Sequence, residues 1–533
     1  MSTAAVPGPP DRSAPASSSG WRWAGYALAL ALPLLLGLDA PLYDVDEGAF
    51  SEATREMLAS GDFGHTTLNG APRFDKPILV YWLQAASMAL FGPSEWAVRL
   101  PSALCAWLSA LALVAFVVPR MGRDKALLAG AIMVTALGPW ALARAATADA
   151  LLNLLLMLSA LDLWRHLEHG ARAPLRRSAL WIGLGLLTKG PVALLIPAAA
   201  LGLWTTSRRD WRALGRALSD PWAWLIMLTV ALPWYAYAWQ RHGMAFIEGF
   251  ILKHNVGRFS GPMEGHGGSL GYYLLVTPLM WLPWSPLWLG VLVRLRSLWR
   301  EPYTRYLLVW AGFVLAFFSL SGTKLPHYSL YAGPALALLT VQVWDQAGRT
   351  LRAVLWTGLV TLLLTLALLP WLLGSGWIDV RNPLYAALLQ GAPPPWGPLL
   401  AYAVAAVALL GLLATRRWSF LPRFALAAWA LTLATAGFGA PWWGEALQGP
   451  IKRGAEFARG WMATQPGAPV QAVQWQTHWP STGFYLRQAV PQGVPAPGEL
   501  AFTRTDRLQR LDEPMKLESL WQERGVSVVR RVE

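Results

Sequence analysis

Three acids fall within four positions at Asp44, Asp46 and Glu47, just after an apolar run that ends near Leu38. A carboxylate held at a membrane edge can act as general base on an acceptor hydroxyl, or stabilise positive charge developing at a sugar carbon. Its plainer use is to cap the helix that follows. Further along the same segment, Arg73, Phe74, Asp75, Lys76 and Pro77 set an acid and a lysine beside a rigid proline. That pairing suits a phosphate and a divalent cation, the alternative being that Lys76 snorkels toward headgroups.

Four other places carry chemistry of the same kind. Asp149 stands at the edge of an apolar run with Arg144 nearby. An acid there is costly enough to mark a functional site, and a structural pair with Arg144 is the competing reading. His254, Arg258 and His266 lie in a gap otherwise poor in charge and could complete a metal or phosphate site, although their spacing matches no closed zinc motif. Lys324 and Tyr328, in the hinge 321–328, are placed to meet a phosphate or pyrophosphate headgroup, with interface anchoring the alternative for Lys324. Lys189 makes a similar short turn in Thr188-Lys189-Gly190-Pro191, and no role is assigned to it.

The elements that must position these residues are membrane helices. Of 533 residues 55% are hydrophobic, only 14% are charged and 32 are tryptophan, more apolar surface than a soluble core can hide. The net charge of +14 is carried by arginines clustered in short gaps between apolar runs, which fits the positive-inside rule better than a nucleic-acid-binding face. Cys105 is the only cysteine and sits in an apolar run, so an intramolecular disulfide is excluded and a thiolate metal cluster is not expected.

About thirteen spans are predicted, near 23–38, 102–118, 126–140, 151–164, 179–187, 192–204, 221–239, 270–293, 306–320, 328–344, 354–373, 398–413 and 424–438. The segment 1–20 reads as a disordered cytoplasmic tail, and 23–38 as a retained span rather than a cleaved signal peptide. Arginine-bearing gaps such as 120–125, 165–177, 208–216 and 294–305 are expected on the cytoplasmic side of a bacterial inner membrane. The gaps 39–77, 143–149, 240–269, 321–327 and 374–397 then gather outside. That orientation requires 78–91 to be a juxtamembrane helix that does not cross. In the first external loop, 39–77, Phe50, Ala53, Thr54, Met57 and Leu58 share one helical face, expected to lie on the membrane surface.

After Phe438 hydropathy falls, and alternating runs at 470–473 and 526–529 predict a small external α/β domain joined through the Gly/Pro-rich stretch 439–450. The predicted fold class is an all-α polytopic membrane protein with this small α/β appendage. Its divisions are 1–20, 21–440 and 441–533.

The acidic pair after the first span, Arg55-Glu56-Met57-Leu58, Phe74-Asp75-Lys76-Pro77 before an amphipathic Tyr81-Trp82-Leu83 segment, and Lys324-Leu325-Pro326-His327-Tyr328 together resemble bacterial lipid-carrier-dependent glycosyltransferases. The set is similar to the aminoarabinose transferases that modify lipid A, relatives of the protein O-mannosyltransferases with the multi-helix GT-C architecture. This chain has Ala49 and Phe50 where those enzymes carry an Arg-Tyr pair, and Asp75 where they carry a glutamate.

The resemblance implies an undecaprenyl-phosphate sugar donor, inverting transfer without a nucleotide, and a periplasmic site beneath the C-terminal domain. The acceptor would be lipid A, another glycan or a protein, with no role for nucleic acid. It implies catalytic roles for Asp46 and Asp149, with Glu47 beside them. Lys76, Arg258, Lys324 and Tyr328 would hold the donor phosphate, and Asp75, His254 and His266 are the candidate donors to a zinc, magnesium or manganese ion. Competing readings are a protein O-glycosyltransferase, an O-antigen ligase or polymerase, and a lipid-sugar transporter or flippase. A transporter predicts ionisable residues near the bilayer midplane and repeat symmetry, and neither is evident.

Overall fold

The computed structural model describes residues 17–533 apart from 264, 347, 416, 467–469 and 509–514. Most of the expected N-terminal tail, residues 1–16, lies outside these, as does Arg416 of the basic gap 416–423, which is likewise expected on the cytoplasmic side. All thirteen apolar runs fall on helical segments. Among the described residues six helices are long and apolar enough to cross a membrane, or eight if each of two sharply bent pairs is one span, fewer than the thirteen expected. The others are shorter, or carry too many polar residues to pass on length and composition alone.

The first half of the chain builds the scaffold for the site. Helix α1 (Ser17–Leu35) leads into α2 (Asp46–Ser60), which opens with Asp46 and Glu47 in its first turn and stops where Gly61 turns left-handed at φ 69°. A two-residue hairpin, β1 (Thr67–Leu68) and β2 (Ala71–Pro72), follows, pinned by Glu56, which accepts hydrogen bonds from Thr67 Oγ1 and the Asn69 amide. Helix α3 (Leu79–Phe91) has 13 residues, about 20 Å of helix against roughly 30 Å of hydrocarbon, too short to cross. Next come α4 (Glu95–Met121), capped by Ser94 Oγ, the bent pair α5 (Arg123–Thr135) and α6 (Leu137–Ala143), α7 (Asp149–His169) and α8 (Arg172–Lys189).

The apolar face of α2 does not lie on lipid. Phe50, Ala53 and Met57 are buried against Ile78, Val80, Tyr81 and Ala85 and against Ala148, just ahead of α7. Thr54, also buried, donates to Gln84 Oε1 at 2.9 Å. The face is therefore a protein–protein seam, which fixes the start of α2 relative to the start of α7.

The Gly/Pro-rich stretch expected to be a linker is helix. Ala440–Ala463 runs unbroken through Pro450, and with the helix before it forms a 44-residue run, Phe420–Ala463. It leads into a four-stranded sheet in the order β3-β4-β6-β5, from β3 (Ala472–Gln474), β4 (Leu500–Arg504), β5 (Leu517–Glu523) and β6 (Val526–Arg531). The β3–β4 pair is parallel and the other two are antiparallel. Val526, Val528 and Phe502 face Ile451 and Ala455 of the long helix, the alternation that the sequence shows at 526–529.

Candidate active site

Asp149 is the first residue of α7 and Lys189 the last of α8, and the packing of those two helices brings their ends together. Gly190 makes the approach feasible: its φ is +78° and an added Cβ would stand 2.5 Å from the Phe250 ring, so only glycine lets the chain leave α8 there. Lys189 Nζ lies 2.5 Å from Asp149 Oδ1 and donates to Tyr331 Oη at 2.8 Å. Tyr331 in turn donates to Asp149 Oδ1 at 2.5 Å, and His327 Nε2 lies 3.7 Å from the same oxygen. Burial depresses the pKa of His327, with Asp149 opposing, so a neutral ring is favoured there.

This cluster divides two cavities. The first, about 510 Å³, is lined by Tyr43, Asp46, Asp149, His327 and the indoles of Trp140 and Trp443. Asp46 is exposed and, among the described residues, forms no hydrogen bond or ion pair. The second, about 410 Å³, is lined at its polar end by Lys76, Lys189, Arg258 and Tyr328, and elsewhere by Val192, Leu195, Phe250, Phe317 and Phe318. Arg258 Nη1 donates to Tyr328 Oη at 3.3 Å, and Lys189 Nζ sits 5.0 Å above the Tyr328 ring. Converging cations backed by apolar walls suit a phosphate carried on a long hydrocarbon chain.

Comparison with known proteins gives the family and the fold. A family model described as dolichyl-phosphate-mannose-protein mannosyltransferase matches residues 75–239. An undecaprenyl phosphate-alpha-4-amino-4-deoxy-L-arabinose arabinosyl transferase of Sodalis glossinidius is 32% identical over 384 residues, covering 68% of this chain and 68% of the relative. The chain belongs to this family of lipid-carrier-dependent glycosyltransferases. A transferase of the same description from Enterobacter sp. is 30% identical over 375 residues, 68% of this chain and 66% of that one, so the chain spans about two thirds of the length of such relatives. The fold matches that of ArnT from Cupriavidus metallidurans bound to undecaprenyl phosphate, with a TM-score of 0.80 at 22% identity over 97% of this chain and 98% of that one. The resemblance read in the sequence is thereby established, and the fold is that of a multi-pass membrane glycosyltransferase rather than a transporter.

Against that family frame, several residues singled out in the sequence take other duties. Glu47 is buried, and Arg99 donates to both of its oxygens at 2.8 and 2.6 Å, while the amides of Ala146 and Tyr43 donate at 2.7 and 2.8 Å. With four donors its carboxylate is a structural tie between α2 and α4 and has no capacity left for a substrate. Arg144 does not pair with Asp149; it donates to the carbonyls of Leu36, Gly37 and Ala436. Lys324 is buried and turns its ammonium onto the Ser321 carbonyl at 2.5 Å, outside the cation-lined cavity.

Asp44 accepts from the Ser481 amide at 2.9 Å and from its hydroxyl at 2.5 Å, tying the first loop to the C-terminal domain. Burial pushes its pKa up to about 7, with the Ser481 hydrogen bonds opposing.

The candidate metal donors do not form a coordination set. Asp75 is ringed by basic side chains: Lys76 at 2.7 Å, Arg73 at 3.0 Å and Arg258 at 3.9 Å, with a ring nitrogen of His254 at 3.1 Å. Burial would raise its pKa, yet Lys76, His254 and Arg73 outweigh that and hold it well below the ordinary carboxylate range. His266 is exposed, and among the described residues no group of three or more His, Cys, Asp or Glu is close enough to hold a metal ion. The donor set present does not fit a protein-bound cation at Asp75. Its evident duty is to orient Lys76, whose own pKa is lowered by burial and, further, by Lys189 and Arg258, against the pull of Asp75.

Lys189, Tyr331 and His327 carry the centre of the site and received no role from the sequence. A lysine closing an apolar helix was itself the signal, since such a charge is retained only with a partner.

Proposed function

We propose that this protein transfers a sugar from an undecaprenyl-phosphate carrier to a cell-envelope acceptor, lipid A in particular, on the periplasmic face of the inner membrane. The carrying observation is the meeting of two unlike cavities at the Asp149–Lys189 pair, one lined by cations and aromatic rings, the other open at the carboxylate of Asp46.

In this reading the donor phosphate rests against Lys76, Lys189, Arg258 and Tyr328, its polyprenyl chain running along Phe250, Phe317 and Phe318. The sugar crosses to the first cavity, where Trp140 and Trp443 supply stacking faces. An acceptor oxygen attacks the anomeric carbon from the side of Asp46 while the bond from that carbon to the carrier phosphate breaks on the other side, inverting the centre. The carrier leaves as a phosphomonoester that needs no proton, because the surrounding cations neutralise it in a water-poor cavity. A hydroxyl acceptor passes its proton to Asp46; a phosphate acceptor is already ionised, and Asp46 then serves to position it.

The same machinery serves a protein hydroxyl equally well, a reading supported by the mannosyltransferase model over 75–239. The test is release of undecaprenyl phosphate by purified protein given synthetic undecaprenyl-phosphate sugars and either lipid A or a serine/threonine peptide. Release and transfer with lipid A alone support the reading; transfer to peptide alone replaces the acceptor; no turnover of any donor overturns it.

A further inference from the structure

A third cavity, about 850 Å³, lies away from the site just described, between the bent pair Tyr272–Met280 and Ser285–Val293 and the helix Pro302–Leu320. The chain reverses there by 120°, which leaves a groove that no helix fills. Its walls are Leu274, Pro278, Val291, Leu292, Leu315 and Leu336. Three features distinguish it from ordinary lipid-facing surface.

The first is charge. Arg296 and Arg300 line one end, four positions apart on Leu295–Arg300 and so on one face of it. Among the described residues neither is in an ion pair, and the neighbouring acid, Glu301, is not in one either. The second is polarity at depth. Thr277 lines the groove, is 2% exposed, and its hydroxyl has no hydrogen-bond partner. A buried hydroxyl left without a partner is costly, so its presence points to a ligand group that supplies one. The third is position. Pro302–Leu320 has 19 residues, about 28 Å of helix, and its far end meets the Ser321 hinge beside the cation-lined cavity. The arginine end therefore belongs to the opposite membrane face from the active site.

We propose that this groove is a binding site for one anionic glycerophospholipid of that opposite leaflet. Its phosphate rests on Arg296 and Arg300, one acyl chain fills the cleft along Leu274, Leu292 and Leu315, and the ester region reaches the Thr277 hydroxyl. Beyond its phosphate a polyprenyl carrier is hydrocarbon, with no acyl-ester carbonyl to accept from Thr277, which favours the glycerophospholipid.

The experiment reconstitutes the full-length protein into nanodiscs of phosphatidylcholine doped with phosphatidylglycerol, ejects it from them, and counts retained lipids by native mass spectrometry. Retention of one phosphatidylglycerol is expected, preferred by about thirtyfold over phosphatidylcholine, whose choline cancels the phosphate charge; that factor corresponds to two arginines meeting a net negative headgroup. The double variant Arg296→Gln with Arg300→Gln loses the preference, and Arg296→Lys with Arg300→Lys keeps it. Gly312→Phe, at a groove position where an added Cβ meets nothing within 4 Å, loses the bound lipid altogether. Melting temperatures matching the native chain confirm that each variant is folded. Equal retention of both lipids by the native chain, an unchanged preference in the glutamine variant, or displacement of the phospholipid by undecaprenyl phosphate would each overturn the proposal.

Discussion

Asp149 Oδ1 lies 2.5 Å from Lys189 Nζ, and this one contact both holds the ends of α7 and α8 together and forms the partition between the two cavities. Structure and chemistry are coupled at that point, which sets what substitutions there should do.

Asp149→Asn leaves a buried lysine without its counter-charge, and Lys189→Met leaves a buried carboxylate. Each single change should cost about 3–5 kcal/mol. The double variant should be more stable than the sum of the singles, by a coupling of roughly 0.5–3 kcal/mol. Thermal melts of the four proteins in detergent measure it; strict additivity would show that the pair is not a unit.

Asp46 is exposed and unpartnered, so its removal should be silent in stability. Asp46→Asn should keep the native melting temperature while carrier release falls by about 10²–10⁴-fold. A fall confined to KM would instead mean that Asp46 only binds.

Two lysines that look alike in the sequence should separate cleanly. Lys76→Met is expected to weaken binding of undecaprenyl phosphate at least tenfold, because Lys76 faces the cation-lined cavity. Lys324→Met should leave that affinity unchanged and lower thermal stability, since its ammonium serves the Ser321 carbonyl. Titration of undecaprenyl phosphate by its effect on melting temperature distinguishes them, and equal effects would return Lys324 to the site.

Asp44 supplies a pH dependence with a defined sign. Its pKa is about 7 in the folded protein against 3.8 ordinarily, so between those values the folded state holds the extra proton and stability declines as pH rises, levelling above about 7. Asp44→Asn keeps an acceptor for the Ser481 amide and removes the titration. The variant should therefore gain melting temperature relative to the native chain at pH 8 and not at pH 4; a constant offset across that range would show that Asp44 does not titrate there.

Helices were readable from hydropathy, because lipid forces every backbone group to be satisfied within its own segment. The first-loop motif was readable too: Asp46 and Lys76 each reach a cavity, and Arg258 and Tyr328 meet although they are 70 residues apart. What local spacing hides is partnership. Asp149 finds Lys189 across 40 positions and Tyr331 across 182, and Glu47 finds Arg99 across 52. Asp46 and Glu47 adjoin in sequence yet diverge in duty, since one helical step turns one carboxylate to the cavity and the other into the protein. The composition of 439–450 misled for a related reason: glycine and proline there pack closely, as where a Cβ at Gly444 would come within 2.9 Å of Ala40, rather than break the helix.

The unbroken run Phe420–Ala463 makes the C-terminal sheet the head of a rigid mast rather than a flap on a string. A flap swings about a loop; a mast can only tilt or twist with its footing. Lys452 of that helix grips Glu95 at the start of α4 and Ser481 grips Asp44, so the helix and the sheet's domain are both tied to the segment that presents Asp46. On the proposed reading, in which the acceptor enters the first cavity, the tilt of that mast would set how bulky an acceptor the cavity admits.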